Sequence, residues 1–70
     1  MSQDIREIFA KNIKKLRTAK NISREELSLQ LGFDNSYISK LEKKRVNITI
    51  DKIEKLAKYF EVEVSDLFKN

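Results

Sequence analysis

Seventy residues with a formal net charge of +4 are enough for one domain, residues 1–70, and a chain this short hides only about 60% of the surface it exposes unfolded. Cysteine and histidine are absent, which excludes disulfides, the common zinc ligand sets and the usual thiol and imidazole catalysts. Stability therefore has to come from efficient helix packing, from oligomerisation, or from both.

Apolar residues recur at helical spacing nearly throughout. The first helix is expected over about Ile5 to Ala19, with Ile5, Phe9, Ile13 and Leu16 on one face and Asp4 or Ser2 as its cap. A second helix begins after Ser23, where Ser23-Arg24-Glu25-Glu26 reads as a capping box: the serine bonds the Glu26 amide and Glu26 bonds back. Gly32, the single glycine, ends that helix, since a left-handed conformation costs glycine nothing. Asp34 is the expected cap of a third helix ending near Lys43. Val46-Asn47-Ile48-Thr49-Ile50 alternates like a strand, but one five-residue strand has no partner. It reads better as an extended connection whose isoleucines tuck under helices. Thr49 caps a fourth helix with Ile50, Ile53, Leu56, Ala57 and Phe60 inward, and a short fifth turn over Val64–Phe68 closes the core with Leu67 and Phe68.

The charge is unevenly spread. Residues 11–20 carry Lys11, Lys14, Lys15, Arg17 and Lys20 with no acid, and residues 40–45 add Lys40, Lys43, Lys44 and Arg45 against Glu42 alone. The last ten residues are acidic, with Glu61, Glu63 and Asp66 against Lys69. Such clustering is the footprint of a polyanion partner, or else of a solvated lysine face. The helix–glycine–helix layout of residues 24–43, with apolar Leu27, Leu31, Phe33, Ile38 and Leu41, favours the first: it matches a helix-turn-helix, whose second helix fits a DNA major groove.

Those features, with Ile13-Lys14-Lys15-Leu16-Arg17, the segment Tyr37-Ile38-Ser39-Lys40-Leu41-Glu42 and the apolar C-terminal part, resemble the phage-repressor and Cro family of Xre-like helix-turn-helix regulators over nearly the whole length. Within that family, Asp34-Asn35-Ser36-Tyr37-Ile38-Ser39 and Asn47-Ile48-Thr49-Ile50 are most similar to controller proteins of restriction–modification systems. The resemblance implies an all-α, five-helix, lambda-repressor-like domain. It implies base reading by Asn35, Ser36, Tyr37 and Lys40, whose chemistry suits adenine, either strand, a thymine methyl or phosphate, and guanine respectively. Backbone contacts fall to Arg24, where the family usually has glutamine, and to Ser39, Lys43, Lys44, Arg45 and Asn47. Arg17 and Glu42 resemble a structural ion pair joining the first helix to the end of the third. The chain departs from the family at Lys44 and Ile48, where glycine and proline are usual. A lysine forced left-handed costs ~1–2 kcal/mol, so that loop is expected to take another path.

The same resemblance places a homodimer interface in the C-terminal part, at Tyr59, Val62, Val64 and Phe68. No metal or cofactor is implied, and no catalytic constellation or glycine-rich phosphate loop exists. No run is apolar enough to cross a membrane and the segment MSQDIREIF lacks a signal-peptide layout, so a cytoplasmic location is expected. The leading reading is a transcriptional regulator bound to double-stranded DNA as a homodimer on a palindromic operator. The alternative is an antitoxin whose DNA binding is autoregulatory.

Overall fold

A computed structural model describes residues 4–70; Ser2, one of the two candidate caps, lies outside them. Four α-helices follow in order: α1 Ile5–Ala19, α2 Arg24–Gln30, α3 Tyr37–Glu42 and α4 Ile50–Phe60. The last element, Val64–Phe68, is a 3-10 turn and not a fifth α-helix. It is one short turn of five residues whose start is closed by the Glu63 N–H donating to Asp66 Oδ2 at 3.0 Å.

Helix starts follow local capping. Asp4 Oδ1 accepts the Arg6 N–H at 2.8 Å, Ser23 Oγ accepts the Glu26 N–H at 3.0 Å, and Thr49 Oγ1 accepts the Lys52 N–H at 3.2 Å. The Ser23 bond is the forward half of the expected box. α3 starts later than expected. Asp34 does not cap it; Asn35 and Ser36 form a turn closed by Tyr37 N–H to Asp34 O at 2.9 Å, and Ser36 becomes the cap residue without a side-chain cap bond. The Asp34 carboxylate is otherwise engaged, accepting the Ser36 hydroxyl at 2.6 Å.

All four helices stop in the same way. After each, one residue turns left-handed and the next N–H reaches back five residues: Ile22 to Arg17 O, Phe33 to Ser28 O, Arg45 to Lys40 O and Val62 to Ala57 O. The left-handed residues are Asn21, Gly32, Lys44 and Glu61, so glycine serves only once. Lys44 therefore does adopt the conformation expected to be avoided, at φ +60°. Its turn is closed by two bonds, Arg45 N–H to Lys40 O at 2.8 Å and Lys44 N–H to Leu41 O at 2.9 Å, which offset the strain.

The core is one cluster: Phe9, Ala10 and Ile13 of α1, Leu27 of α2, Tyr37, Ile38 and Leu41 of α3, Leu56, Ala57 and Phe60 of α4, and Leu67 of the 3-10 turn. Each fully buried Leu or Ile in it contributes ~1.5–3 kcal/mol relative to exposure. Two expected inward residues are not there. Ile5 is exposed and Ile8 is buried in its stead, because Ile5 sits in the first turn, beyond the packed part of the helix. Ile50 is 74% exposed; it is the first residue of α4, and its side chain leans toward the N-terminus, away from the helices beneath. Ile48 and Val46 do pack against the core. Asn12 ties the last turn to α1, its Nδ2 donating to Leu67 O at 2.9 Å and Lys69 O at 2.8 Å. Phe68 stacks on Phe9 beside it, with ring centroids 5.1 Å apart.

Candidate nucleic-acid interface

α2 and α3 meet through a buried serine. Ser28 Oγ donates to Arg24 O at 2.9 Å and accepts the Ile38 N–H at 3.0 Å. A six-residue helix has most of its first-turn N–H groups unpaired, and α3 has no side-chain cap of its own. Ser28 supplies that acceptor from the neighbouring helix and so fixes where α3 starts.

Behind this joint, Arg17 and Glu42 meet in a fork. Arg17 Nε donates to Glu42 Oε2 at 2.8 Å and Nη2 to Oε1 at 3.4 Å, while Nη1 donates to Ile22 O at 2.8 Å. The side chains are only 10% and 6% exposed. This one pair joins α1, the turn before α2, and the end of α3. Arg24, half exposed, approaches the same carboxylate, Nη1 to Oε1 3.8 Å.

In front of it lies a groove of about 590 Å3, lined by Arg17, Ser23, Arg24, Glu25, Asn35, Ser36 and Ser39. The structure thus gathers Arg24, Asn35, Ser36 and Ser39 on one open surface. Lys40, one turn after Ser36, is exposed, as are Lys43, Lys44, Arg45 and Asn47 in the loop that follows α3. Two acids thread the same surface. Asn35 Nδ2 stands 3.5 Å from Glu25 Oε2, and the Ser36 hydroxyl bond holds the Asp34 carboxyl below the usual carboxylate range, with the Lys40 charge adding to it.

Tyr37 is the exception among the reading candidates. It points into the core at 9% exposure, edge-on to Phe33 at 5.0 Å and under the Lys52 ammonium, 4.4 Å from its ring centre. Its hydroxyl is buried without a hydrogen-bond partner, and burial pushes its pKa above 10.0. Helix geometry accounts for this: Tyr37 lies four residues before Leu41 and next to Ile38, so it shares their inward face. Sequence reasoning missed Ser28, whose signal is a poor helix former set between Leu27 and Leu31, and Glu25, whose place on the groove depends on the interhelix turn.

At the C-terminal end, Val64 is exposed and Tyr59, Val62 and Phe68 are half-buried. Tyr59 is held by its hydroxyl donating to Gln30 Oε1 at 2.6 Å and by Lys20 over its ring. Among the described residues, no group of His, Cys, Asp or Glu could hold a metal ion and no helix is long and apolar enough to cross a membrane.

Comparison with known proteins gives this arrangement a family. The helix-turn-helix family model matches residues 13–67. The chain is 46% identical over 55 residues to a hypothetical transcription factor of Neisseria meningitidis, matching 79% of this chain and 52% of that protein; it spans about half the length of that relative. It is 34% identical over 68 residues to the control protein C.BamHI of Bacillus amyloliquefaciens, covering 96% of this chain and 84% of that one. Among solved structures, the Neisseria factor NHTF superposes with a TM-score of 0.89 at 40% identity, covering 96% of this chain and 77% of that one. The restriction–modification controller C.AhdI of Aeromonas hydrophila gives 0.81 at 35%, covering 90% and 96%. The chain therefore belongs to the helix-turn-helix family, in the Xre/Cro-like branch of non-enzymatic regulators that includes the restriction–modification controllers.

Proposed function

We propose that this protein is a DNA-binding transcriptional regulator of the restriction–modification controller type, bound as a homodimer to a two-fold symmetric operator. The observation that carries the reading is the groove in which Arg24, Asn35, Ser36 and Ser39 converge over the Arg17–Glu42 fork. Its geometry is that of a short helix end offered to a major groove, with a cation at its flank for the backbone. A related controller, C.Esp1396I, 30% identical with a TM-score of 0.78, has been solved as a tetramer on its natural 35 base-pair operator.

In this reading Asn35, Ser36 and Lys40 face base edges. Arg24, Ser39, Lys43, Lys44, Arg45 and Asn47 hold phosphates. Tyr37 is removed from the reading set by its burial. The dimer forms through the C-terminal part around Tyr59, Val62, Val64 and Phe68, where acidic Glu61, Glu63 and Asp66 would be repelled by phosphate. Two reading helices one turn of B-DNA apart, about 34 Å, then read a palindrome cooperatively.

Selection of bound sequences from a random duplex pool tests the reading, followed by titration of the winner against salt. A dimer neutralising about eight phosphates gives a log–log slope near −7. A slope near zero, or no enriched sequence, refutes it.

A further inference from the structure

The basic run on α1 is left unused by the reading surface. Lys20 covers Tyr59 and Lys15 is solvated, but Lys11 and Lys14, three residues apart on one helix face, converge with the loop after α3. Together with Glu7, Ala10, Glu42 and Lys44 they line an open groove of about 360 Å3. The left-handed turn at Lys44 swings its chain across to α1, where Nζ stands 3.1 Å from Glu7 Oε1 with both side chains 44% exposed.

Two features tie this groove to DNA. The first is position. Glu42 is shared: it forms part of this groove, is locked to Arg17, and lies 3.8 Å from Arg24, which lines the reading groove with Asn35, Ser36 and Ser39. Arg17 and Arg24 line the reading groove and Glu42 lines this one, so the two grooves meet at the same buried ion pair. The second is charge. Glu42 is already neutralised by Arg17, so Lys11, Lys14 and Lys44 face Glu7 alone. Lys11 and Lys14 lie about 4.5 Å apart along the helix axis, close enough for their flexible side chains to reach one stretch of phosphate backbone. Exposed lysines hold a lone anion weakly, but a polyanion already docked next door presents its phosphates at high effective concentration.

We propose that the Lys11–Lys14–Lys44 groove is a second anchoring site for backbone phosphates of the duplex that α3 reads, and that Glu7 is an internal counterion which phosphate displaces from Lys44. This rests on the DNA-binding reading above. Glu7 then acts as a brake on affinity: it occupies Lys44 in the free protein and repels the incoming backbone.

The test uses the full chain, the selected operator and an unrelated duplex. The Lys11→Gln, Lys14→Gln double variant should melt like the wild type, keep the same preferred sequence, bind both duplexes at least ~10-fold more weakly, and lose close to one unit of salt slope for each lysine–phosphate contact removed. Glu7→Gln should tighten both duplexes several-fold without altering the preferred sequence. Unchanged salt slope in the double lysine variant, or unchanged or weaker binding by Glu7→Gln, overturns the site. If Arg24→Ala still flattens the slope in that case, the DNA-binding reading stands while this site falls; no salt-sensitive binding by the wild type sinks both. Saturation of the groove by millimolar inorganic phosphate without DNA, followed through the Lys14 amide resonance, would mark a free-anion site and overturn the duplex assignment.

Discussion

Replacing Arg17 by alanine removes three hydrogen bonds at once, two to Glu42 and one to Ile22 O. It also strands a carboxylate that is 6% exposed. Water cannot fully replace the lost partner there, and the nearest other cation, Arg24, stands 3.8 Å away with half of its side chain in solvent. Breaking a buried pair from one side costs ~3–5 kcal/mol. A domain of this length has ~3.5–10 kcal/mol of total stability, so the variant should lie at or near the edge of folding, its melting temperature lowered by at least ~12 °C. Glu42→Ala should cost less, because Arg17 keeps the Ile22 carbonyl. Arg17→Lys should fall between, retaining charge but losing the fork. Thermal and urea melts of the two alanine variants and the double mutant form the assay. The double mutant should lose less than the sum of the singles by ~1–3 kcal/mol. Losses that add within ~0.5 kcal/mol, or an Arg17→Ala loss under ~1 kcal/mol, would refute the reasoning.

Tyr37→Phe deletes a buried hydroxyl that has no partner, so it should leave the melt unchanged or stabilise the fold by ~1–3 kcal/mol; a clear loss of stability would mean that the hydroxyl is satisfied. The same group predicts alkaline sensitivity. Its folded pKa lies above 10.0, so above that pH the unfolded chain releases the proton first and binds fewer protons than the folded one. Stability should thus hold below pH 10 and fall as pH rises toward the folded pKa, and the Tyr37→Phe variant should show a smaller fall. Asn35→Ala should relax sequence preference at a cost of ~1–3 kcal/mol on the selected site, whereas Arg24→Ala should weaken all duplexes alike and flatten the salt slope by about one per subunit; competition binding on both duplexes separates the two. Val64→Asp should give a folded monomer with much weaker operator binding, and sedimentation showing a wild-type monomer at tens of micromolar would count against the dimer.

Helix placement was legible because its determinants are local: the caps Asp4, Ser23 and Thr49, the glycine at position 32 and the spacing of Phe9, Ile13, Leu27, Ile38 and Leu56 act within a turn or two. What escaped the sequence depends on neighbours far along the chain. Nothing near Asp34 tells that α3 takes its first side-chain acceptor from Ser28 on the preceding helix. Tyr37, four residues before Leu41, shares the inward face of α3, and only the packing of distant residues shows that it lands against Phe33 and Lys52. Ile5 and Ile50 obey the helical period, yet each is the first residue of its helix, and periodicity carries no information about where the opposing surface stops. At Lys44 the left-handed backbone, at φ +60°, comes with two backbone bonds and the reach to Glu7, partners that the local sequence does not announce. The site followed the same division. The positions of Arg24, Asn35 and Ser36 come with the helix-turn-helix pattern, while the acids Glu25 and Asp34 among them become visible only when the two helices are set at their angle.

The Ser28 bridge makes α3 a dependent structure. Six residues are far too few to hold a helix in water by themselves, since nucleation alone is unfavourable by about a thousandfold. The fold starts this one by lending it an acceptor from another helix and by burying Tyr37, Ile38 and Leu41. Consequently α3 depends on α2 for its start: if α2 leaves, the acceptor of the Ile38 N–H leaves with it. The Ile38 amide should therefore exchange with solvent hydrogen through openings that also release the Leu27 and Leu31 amides. A surface built on these two helices reaches its ligand already ordered, and the entropy of assembling it has been spent in folding rather than in binding.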